Sequence, residues 1–221
     1  MQSYLTPPTI SFIAISILGM IMAMPITSAI RHYFFIRRRF TLMEIPMSYF
    51  SEEEGKLLDL FRVLPTPFVF EMAVHQLGKE AHCYVGVPER MTEEFHDLTG
   101  AKKANEFHVY KSGGSHLGFY LKGELNKFNP NEVDFSKVSE IGEGALLQFL
   151  VTGGGWAKKW ANMRVLISAP TPYQAQEVAD TLNPSLKSLK ASPVGRGMRE
   201  FVHRLTFREF DAREAVVWRK L

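Results

Sequence analysis

The sequence predicts an α+β fold, with one N-terminal transmembrane helix followed by antiparallel-sheet, ferredoxin-like αβ layers. Two observations predict it. An uncharged run occupies residues 10–30 of the 221-residue chain, and beyond it short β-rich runs alternate with short amphipathic helices. We expect the folded part of the chain to follow the membrane segment.

The uncharged run has the length of a membrane-spanning helix. At ~1.5 Å per residue it covers roughly 30 Å, the hydrocarbon thickness of a bilayer. Arg31 and the cluster Arg37, Arg38 and Arg39 all lie on its C-terminal side. The positive-inside tendency therefore predicts a single-pass inner-membrane protein with its N-terminus outside and its C-terminal domain cytoplasmic. We assign residues 1–40 to a transmembrane anchor with a basic cytoplasmic flank.

Two features of this anchor are candidates for contacts. Gly19, Ala23 and Thr27 recur every four residues and would form a strip that lets a second helix approach closely. The alternative is that small residues are simply common in spanning helices. Arg37, Arg38 and Arg39 are expected at the lipid surface.

The remaining chain divides into a connector and two α+β subdomains. We assign 41–67 to a connector with one short amphipathic helix near 51–63. The first subdomain, 68–140, has β-rich runs at 68–75, 81–87, 106–111 and 117–122, with a helix that begins at Pro88 and ends at Gly100.

The second subdomain, 141–221, continues the alternation. Strands are predicted at 145–151 and 163–169, followed by a helix capped by Thr171 with Pro172 at its first position. A second helix runs through Leu186 and Leu189. Residues 200–207 are interpreted as a strand and 211–221 as a closing helix.

Charge and cysteine content narrow the possible partners. The formal charge is +4 over residues 1–40, −7 over 41–155 and +6 over 156–221. The last third could therefore contact an acidic partner, although a solvated basic face gives the same pattern. The single cysteine, Cys83, excludes an internal disulfide and is expected to be a buried structural thiol.

No catalytic, cofactor-binding or metal-binding residue is predicted. Gly113-Gly114 and Gly153-Gly154-Gly155 lack the lysine and hydroxyl that a phosphate-binding loop needs, and they are interpreted as turns. Histidines are dense between residues 75 and 116: His75, His82, His96, His108 and His116. His75 and His82 could face each other across the first hairpin, with His108 on a neighbouring strand, so a membrane-tethered metalloenzyme is an alternative hypothesis.

One segment interleaves aromatic and basic residues in a way that suits a partner surface. It contains Trp156, Lys158, Lys159, Trp160 and Arg164. Such residues could stack on nucleic-acid bases or bind lipid headgroups. The structural alternative is that the tryptophans pack under the sheet with the lysines outside.

The order of these parts resembles the membrane-proximal region of the conjugation coupling ATPases, the type IV secretion proteins that feed DNA to a transfer channel. The resemblance lies in the N-terminal membrane segment, in 68–74 with 81–88, in 145–151 with Trp156, and in 165–182. In that family a motor domain would follow, but no motor motif is present here, so ATP hydrolysis is not carried over to any residue.

The expected function is that of a non-enzymatic, membrane-anchored scaffold or docking subunit of a DNA- or protein-transfer assembly. The expected partners are the lipid bilayer, a separate ATPase and further copies of the chain. Direct nucleic-acid binding by the basic C-terminal third is a second alternative, and it predicts affinity that falls steeply with salt.

Overall fold

The computed structural model describes residues 40–51, 56–75, 81–110, 113–123, 128, 132–141, 144–154 and 158–219, together with Ser16 and Gly19, which are both helical and exposed. The chain separates into two compact units, Met1–Arg39 and Phe40–Leu221. The predicted membrane-spanning run, with Ala23, Thr27 and Arg37 to Arg39, lies outside the described residues apart from Ser16 and Gly19. Of the helices in the described ranges, none combines the length and apolar composition that crossing a membrane requires.

The second unit is α+β and is built on one antiparallel sheet. In the described ranges this sheet has nine strands: β1 (Phe40–Ile45), β2 (Phe68–Val74), β3 (His82–Pro88), β4 (Lys102–Lys103), β5 (Ser115–Gly123), β6 (Gly144–Gly154), β7 (Lys158–Ala169), β8 (Leu189–Pro193) and β9 (Val216–Arg219). Their order is β4-β1-β3-β2-β6-β7-β5-β8, and β9 also pairs with β7. Strands from residues 68–140 and from 141–221 thus belong to the same sheet, where β2 pairs with β6 and β5 pairs with both β7 and β8.

Six short helices accompany the sheet in the same ranges: α1 (Ser48–Ser51), α2 (Lys56–Val63), α3 (Thr92–Thr99), α4 (Ser136–Ile141), α5 (Pro172–Leu182) and α6 (Met198–Thr206). Their ends follow local chemistry. Gly100 takes a left-handed conformation after α3, and Thr171 accepts a hydrogen bond from the backbone N–H of Gln174 at the start of α5. Both ends agree with the sequence prediction.

Each face of the sheet is covered. On β7, Met163, Val165 and Ile167 belong to the larger apolar core, which also includes residues of α2, α3, α4 and α5. Leu166 points to the other face and belongs to a smaller core with Phe201 of α6. Successive side chains of a strand point to opposite faces of the sheet, so β7 contributes apolar residues to both faces, as expected for a central strand with layers on both sides.

Three secondary-structure predictions were wrong. Residues 200–207 form most of α6 rather than a strand, because Phe201, Val202 and Leu205 at helical spacing face the sheet. The predicted helix at 211–221 is a short 3-10 turn (Ala212–Glu214) followed by β9, which completes the pairing of β7. Residues 106–110 form no strand.

Two further predictions need correction. The second helix predicted through Leu186 and Leu189 is a 3-10 turn (Asn183–Leu186) followed by strand β8. The 41–67 segment contains the expected amphipathic helix as α2, but it also contains β1, which pairs with β3 over its whole length. The folded unit therefore begins at Phe40.

Close packing of α6 on β5 gives the first prediction. A Cβ at position 118 would lie 2.7 Å from Cε1 and 3.0 Å from Cδ1 of Phe201, a fully buried ring. We expect Gly118→Ala to lower the free energy of unfolding by about 1–3 kcal/mol, because the ring must move in a filled core. Urea denaturation measures the change.

The matched control is Gly195→Ala. Among the described residues no heavy atom lies within 4 Å of a Cβ built there, so the free energy of unfolding should change by less than about 0.5 kcal/mol. Equal effects at positions 118 and 195 would contradict the close approach of α6 to the sheet.

Candidate functional site

The folded unit begins at one end of the sheet, which we call the Phe40 end. Phe40, the first residue of β1, pairs with Pro88, the last residue of β3. Phe68, the first residue of β2, pairs with Val151 near the end of β6. The Phe40 end is thus where β1, β2 and β7 begin and where β3, β6 and β9 end.

The predicted aromatic and basic segment reaches this same end. Trp160 pairs with Thr152 on one side and with Val217 on the other. The side chains of Trp160 and Val217 are 37% and 44% exposed, so the Phe40 end presents a directly paired aromatic and aliphatic residue to solvent. Two positions farther along the register, Lys158 pairs with Arg219. Trp156 lies outside the described residues.

Lys159 has a different role from the one predicted. It alternates to the other face of β7, where its ammonium group donates to the carbonyl oxygens of Phe61 at 2.6 Å and Leu64 at 3.4 Å. It also lies 5.5 Å from the ring centroid of Phe68. A cation at the C-terminal carbonyls of α2 is favourable for the helix dipole. Lys159 thus fixes the end of α2 at the Phe40 end, with Val63 64% exposed beside it.

Arg164 is fully buried, so its prediction as a partner-contacting residue is wrong. Its guanidinium donates to the side-chain oxygens of Gln148 at 3.4 Å and Asn162 at 3.0 Å, and to the backbone carbonyls of Arg204 at 3.3 Å and Glu209 at 2.6 Å. Burial lowers the pKa of Arg164 to about 10, so the group remains protonated at neutral pH. The guanidinium holds α6 and the chain after it against the sheet.

A second buried charge lies two strands away and was not predicted. Glu71 accepts two hydrogen bonds of 3.0 Å from Arg208 and one of 2.8 Å from Gln148. Arg208, which has a positive φ of 54°, also donates to Glu106. Burial disfavours the charge of Arg208, but Glu71 and then Glu106 outweigh it and raise its pKa. The pairing neutralises a carboxylate in the interior.

These groups form one polar row across the sheet. The strand register places Glu44 opposite Tyr84, Tyr84 opposite Glu71, Glu71 opposite Gln148, Gln148 opposite Arg164, and Arg164 opposite Tyr120. The polar residues Glu71, Gln148 and Arg164 in the middle of otherwise apolar runs were the signal that could have revealed the row, because a buried charge requires a partner. Residues of α6 and of the chain that follows it supply partners to Glu71, Gln148 and Arg164.

The histidines gather only in part. His75 and His82 do face each other across the first hairpin, with ring centroids 5.5 Å apart, as predicted. Nδ1 of His82 lies 2.6 Å from a Glu44 carboxylate oxygen, and Nε2 of His75 lies 2.8 Å from the Tyr84 hydroxyl. His108 is exposed on a segment that forms no strand, which corrects its expected position.

The histidine cluster does not form a three-ligand centre. In the ranges that the structure describes, no group of three histidine, cysteine, aspartate or glutamate side chains could hold a metal ion. Cys83 is completely buried, as predicted, and its thiol donates to the thioether of Met47 at 3.2 Å. Burial raises the pKa of this thiol. The site that the structure does bring together is the exposed surface at the Phe40 end.

Comparison of the chain with protein families, with curated proteins and with solved structures gave no match.

The Glu71–Arg208 pair gives a stability prediction. Glu71 is 2% exposed, so Arg208→Met should lower the free energy of unfolding by about 3–5 kcal/mol, because the carboxylate loses its countercharge in the interior. The double variant Glu71→Gln with Arg208→Met should be more stable than Arg208→Met alone, since Gln148 keeps an acceptor. Urea denaturation compares the two.

Arg213→Met is the control, because its side chain is 75% exposed and removing it should change the free energy of unfolding by less than about 0.5 kcal/mol. A double variant that is less stable than Arg208→Met would show that the pair does not act as a neutralised unit.

The histidine pair gives a pH prediction. Burial, and then the neighbouring His82, lower the pKa of His75 below its ordinary value of 6.5. The unfolded chain therefore binds a proton at His75 more readily than the folded chain, so the free energy of unfolding should fall as the pH drops below about 6.5. His75→Gln should remove part of this fall, as measured by urea denaturation from about pH 8 to about pH 5.

The exposed His108 supplies a control for the substitution itself, and His108→Gln should change the free energy of unfolding at neutral pH by less than about 0.5 kcal/mol. If the wild type and the His75 variant show the same pH dependence, the pKa of His75 does not contribute to stability in this range.

Proposed function

We propose that this chain is a single-pass, membrane-anchored docking subunit of a DNA- or protein-transfer assembly, with its folded unit at the cytoplasmic face of the inner membrane. The proposal includes the predicted spanning helix over residues 10–30 and the ferredoxin-like αβ layering. Its place in a transfer assembly rests on the resemblance to the conjugation coupling ATPases. Without that resemblance, we propose only that the chain is a sheet domain tethered close to a bilayer.

The observation that carries the proposal is the start of the sheet at Phe40. The residue before it is Arg39, the last arginine of the basic cluster. The basic flank of the predicted anchor and the first strand of the sheet therefore follow each other directly in the sequence, with no linker residues between them.

Partner docking is proposed for the opposite end, which we call the Tyr173 end. Here β7 ends at Ala169 and β6 begins at Gly144. Tyr173 and Tyr110 are 78% and 42% exposed at this end, and exposed tyrosines suit protein interfaces because they offer apolar area with a polar tip. Helices cover parts of both faces of the sheet in the described ranges, whereas these two tyrosines are exposed at its end.

The membrane test compares the full chain with a variant that lacks residues 1–39. The full chain should stay with the membrane pellet after alkaline carbonate treatment and should leave it only in detergent, because the apolar run is held by the hydrocarbon core. The shortened variant should appear in the supernatant. Release of the full chain by carbonate would contradict the proposal.

The same preparation tests docking. Tagged full chain from detergent-solubilised membranes should co-purify with an ATPase or with untagged copies of itself. The double variant Tyr110→Ser with Tyr173→Ser should lose this co-purification, whereas Leu98→Ser, which alters a side chain that is 53% exposed elsewhere, should retain it. A chain that is monomeric and retrieves no partner would refute the docking role.

A further inference from the structure

We propose that the Phe40 end of the sheet rests directly on an anionic phospholipid surface. This inference rests on the proposed membrane anchorage and identifies what the anchored domain contacts. The contact would consist of exposed Val63, Trp160 and Val217, and Lys158 pairs with Arg219 two register positions beyond Trp160 and Val217. These residues come from α2, β7 and β9, which are far apart in sequence.

The structure brings the three apolar residues to one end. Trp160 and Val217 are direct register partners. Val63 closes α2, which lies on the opposite face of the sheet from Trp160, and Lys159 binds the carbonyl oxygens of its neighbours Phe61 and Leu64 at the same end of the sheet. Half of the large apolar side chains that are exposed in the described ranges therefore lie at the end of the sheet where the chain leaves Arg39.

The charge at this end suits an anionic surface. Lys158 pairs with Arg219 two register positions beyond Trp160 and Val217, and the arginine cluster that ends at Arg39 immediately precedes β1 in the sequence. The acidic Glu89 directly follows the last residue of β3, and the next residue in the chain is the basic Arg90. Basic groups close to an anionic leaflet strengthen binding by about fivefold each.

The residue types favour lipid over nucleic acid. Tryptophan prefers the level of the headgroups, where its ring is partly buried and its N–H remains hydrated. Exposed valines gain from contact with acyl chains, but they offer neither charge to a phosphate nor a flat ring to a base. A nucleic-acid groove would require aromatic and basic residues without this aliphatic component.

The strand lengths separate the two ends of the sheet. Ala169, the last residue of β7, lies nine residues after Trp160, and at ~3.3 Å per residue this separation is about 30 Å. A probe at Tyr173, which follows Ala169 closely in the chain, therefore reports on a surface well away from the proposed contact. This geometry provides a matched control within one molecule.

The test uses the full chain reconstituted into vesicles. Single cysteines are introduced as Val63→Cys, Val217→Cys and Tyr173→Cys and labelled with a polarity-sensitive dye, since Cys83 is completely buried. In vesicles containing phosphatidylglycerol, the dyes at 63 and 217 should emit at shorter wavelength and be quenched by lipids with brominated acyl chains. The dye at 173 should show neither change.

Two comparisons define the role of charge. Vesicles of phosphatidylcholine alone should give smaller shifts at 63 and 217 than vesicles with phosphatidylglycerol. The added substitutions Lys158→Glu and Arg219→Glu should reduce the shifts in anionic vesicles. The intrinsic fluorescence is a label-free check, because the side chain of Trp160 is partly exposed at this end.

The outcomes separate this inference from the proposed function. If the chain resists carbonate but the dyes at 63 and 217 respond like the dye at 173, the anchorage stands and the surface contact is refuted. If carbonate releases the chain, the proposed function itself fails. Protection of the 63 and 217 dyes by single-stranded DNA, with no response to vesicles, would overturn the lipid assignment.

Discussion

The buried guanidinium of Arg164 is the interaction on which the arrangement of the C-terminal part depends. It binds the carbonyl oxygens of Arg204 and Glu209 and the side chain of Asn162. Asn162 in turn exchanges two hydrogen bonds with the backbone of Asp211, at 2.6 and 2.8 Å. Because an unpaired cation in the core would cost several kcal/mol, this segment cannot leave the sheet without exposing or stranding the charge.

The arrangement of this segment decides the shape of the Phe40 end. After Asp211 the chain makes a 3-10 turn and forms β9, which pairs with the first residues of β7. Val217 is thereby placed opposite Trp160. The polar row in the middle of the sheet and the apolar pair at its end are thus linked through a few residues of chain, and the exposed pair depends on the buried charges.

The sequence alone was sufficient to predict the strands that contain continuous apolar runs. Strands β2, β3, β6 and most of β7 were predicted because valine, leucine and phenylalanine recur in short runs between turns. Strand β1 was missed because it directly follows the arginine cluster and ends before Pro46. Helix α6 was predicted as a strand because Phe201, Val202 and Phe207 have high strand propensity. Packing of its apolar face on the sheet stabilises the helix instead.

The site could be predicted only as a segment, because a strand sends alternate residues to opposite faces. Lys159 points toward α2, Trp160 to solvent and Arg164 into the core, although all three belong to one basic and aromatic stretch. Their exposure depends on which parts of the chain cover each face, and both α2 and the segment after α6 are distant in sequence. The sequence of this stretch alone does not show which elements cover each face, so it could not reveal that Val63 and Val217 are exposed at the same end of the sheet as Trp160.

Strand β7 runs from the Phe40 end of the sheet to the Tyr173 end and therefore sets the direction of one end relative to the other. If the Phe40 end lies on the bilayer, β7 directs the Tyr173 end away from it, which is the orientation a docking surface for a cytoplasmic partner requires.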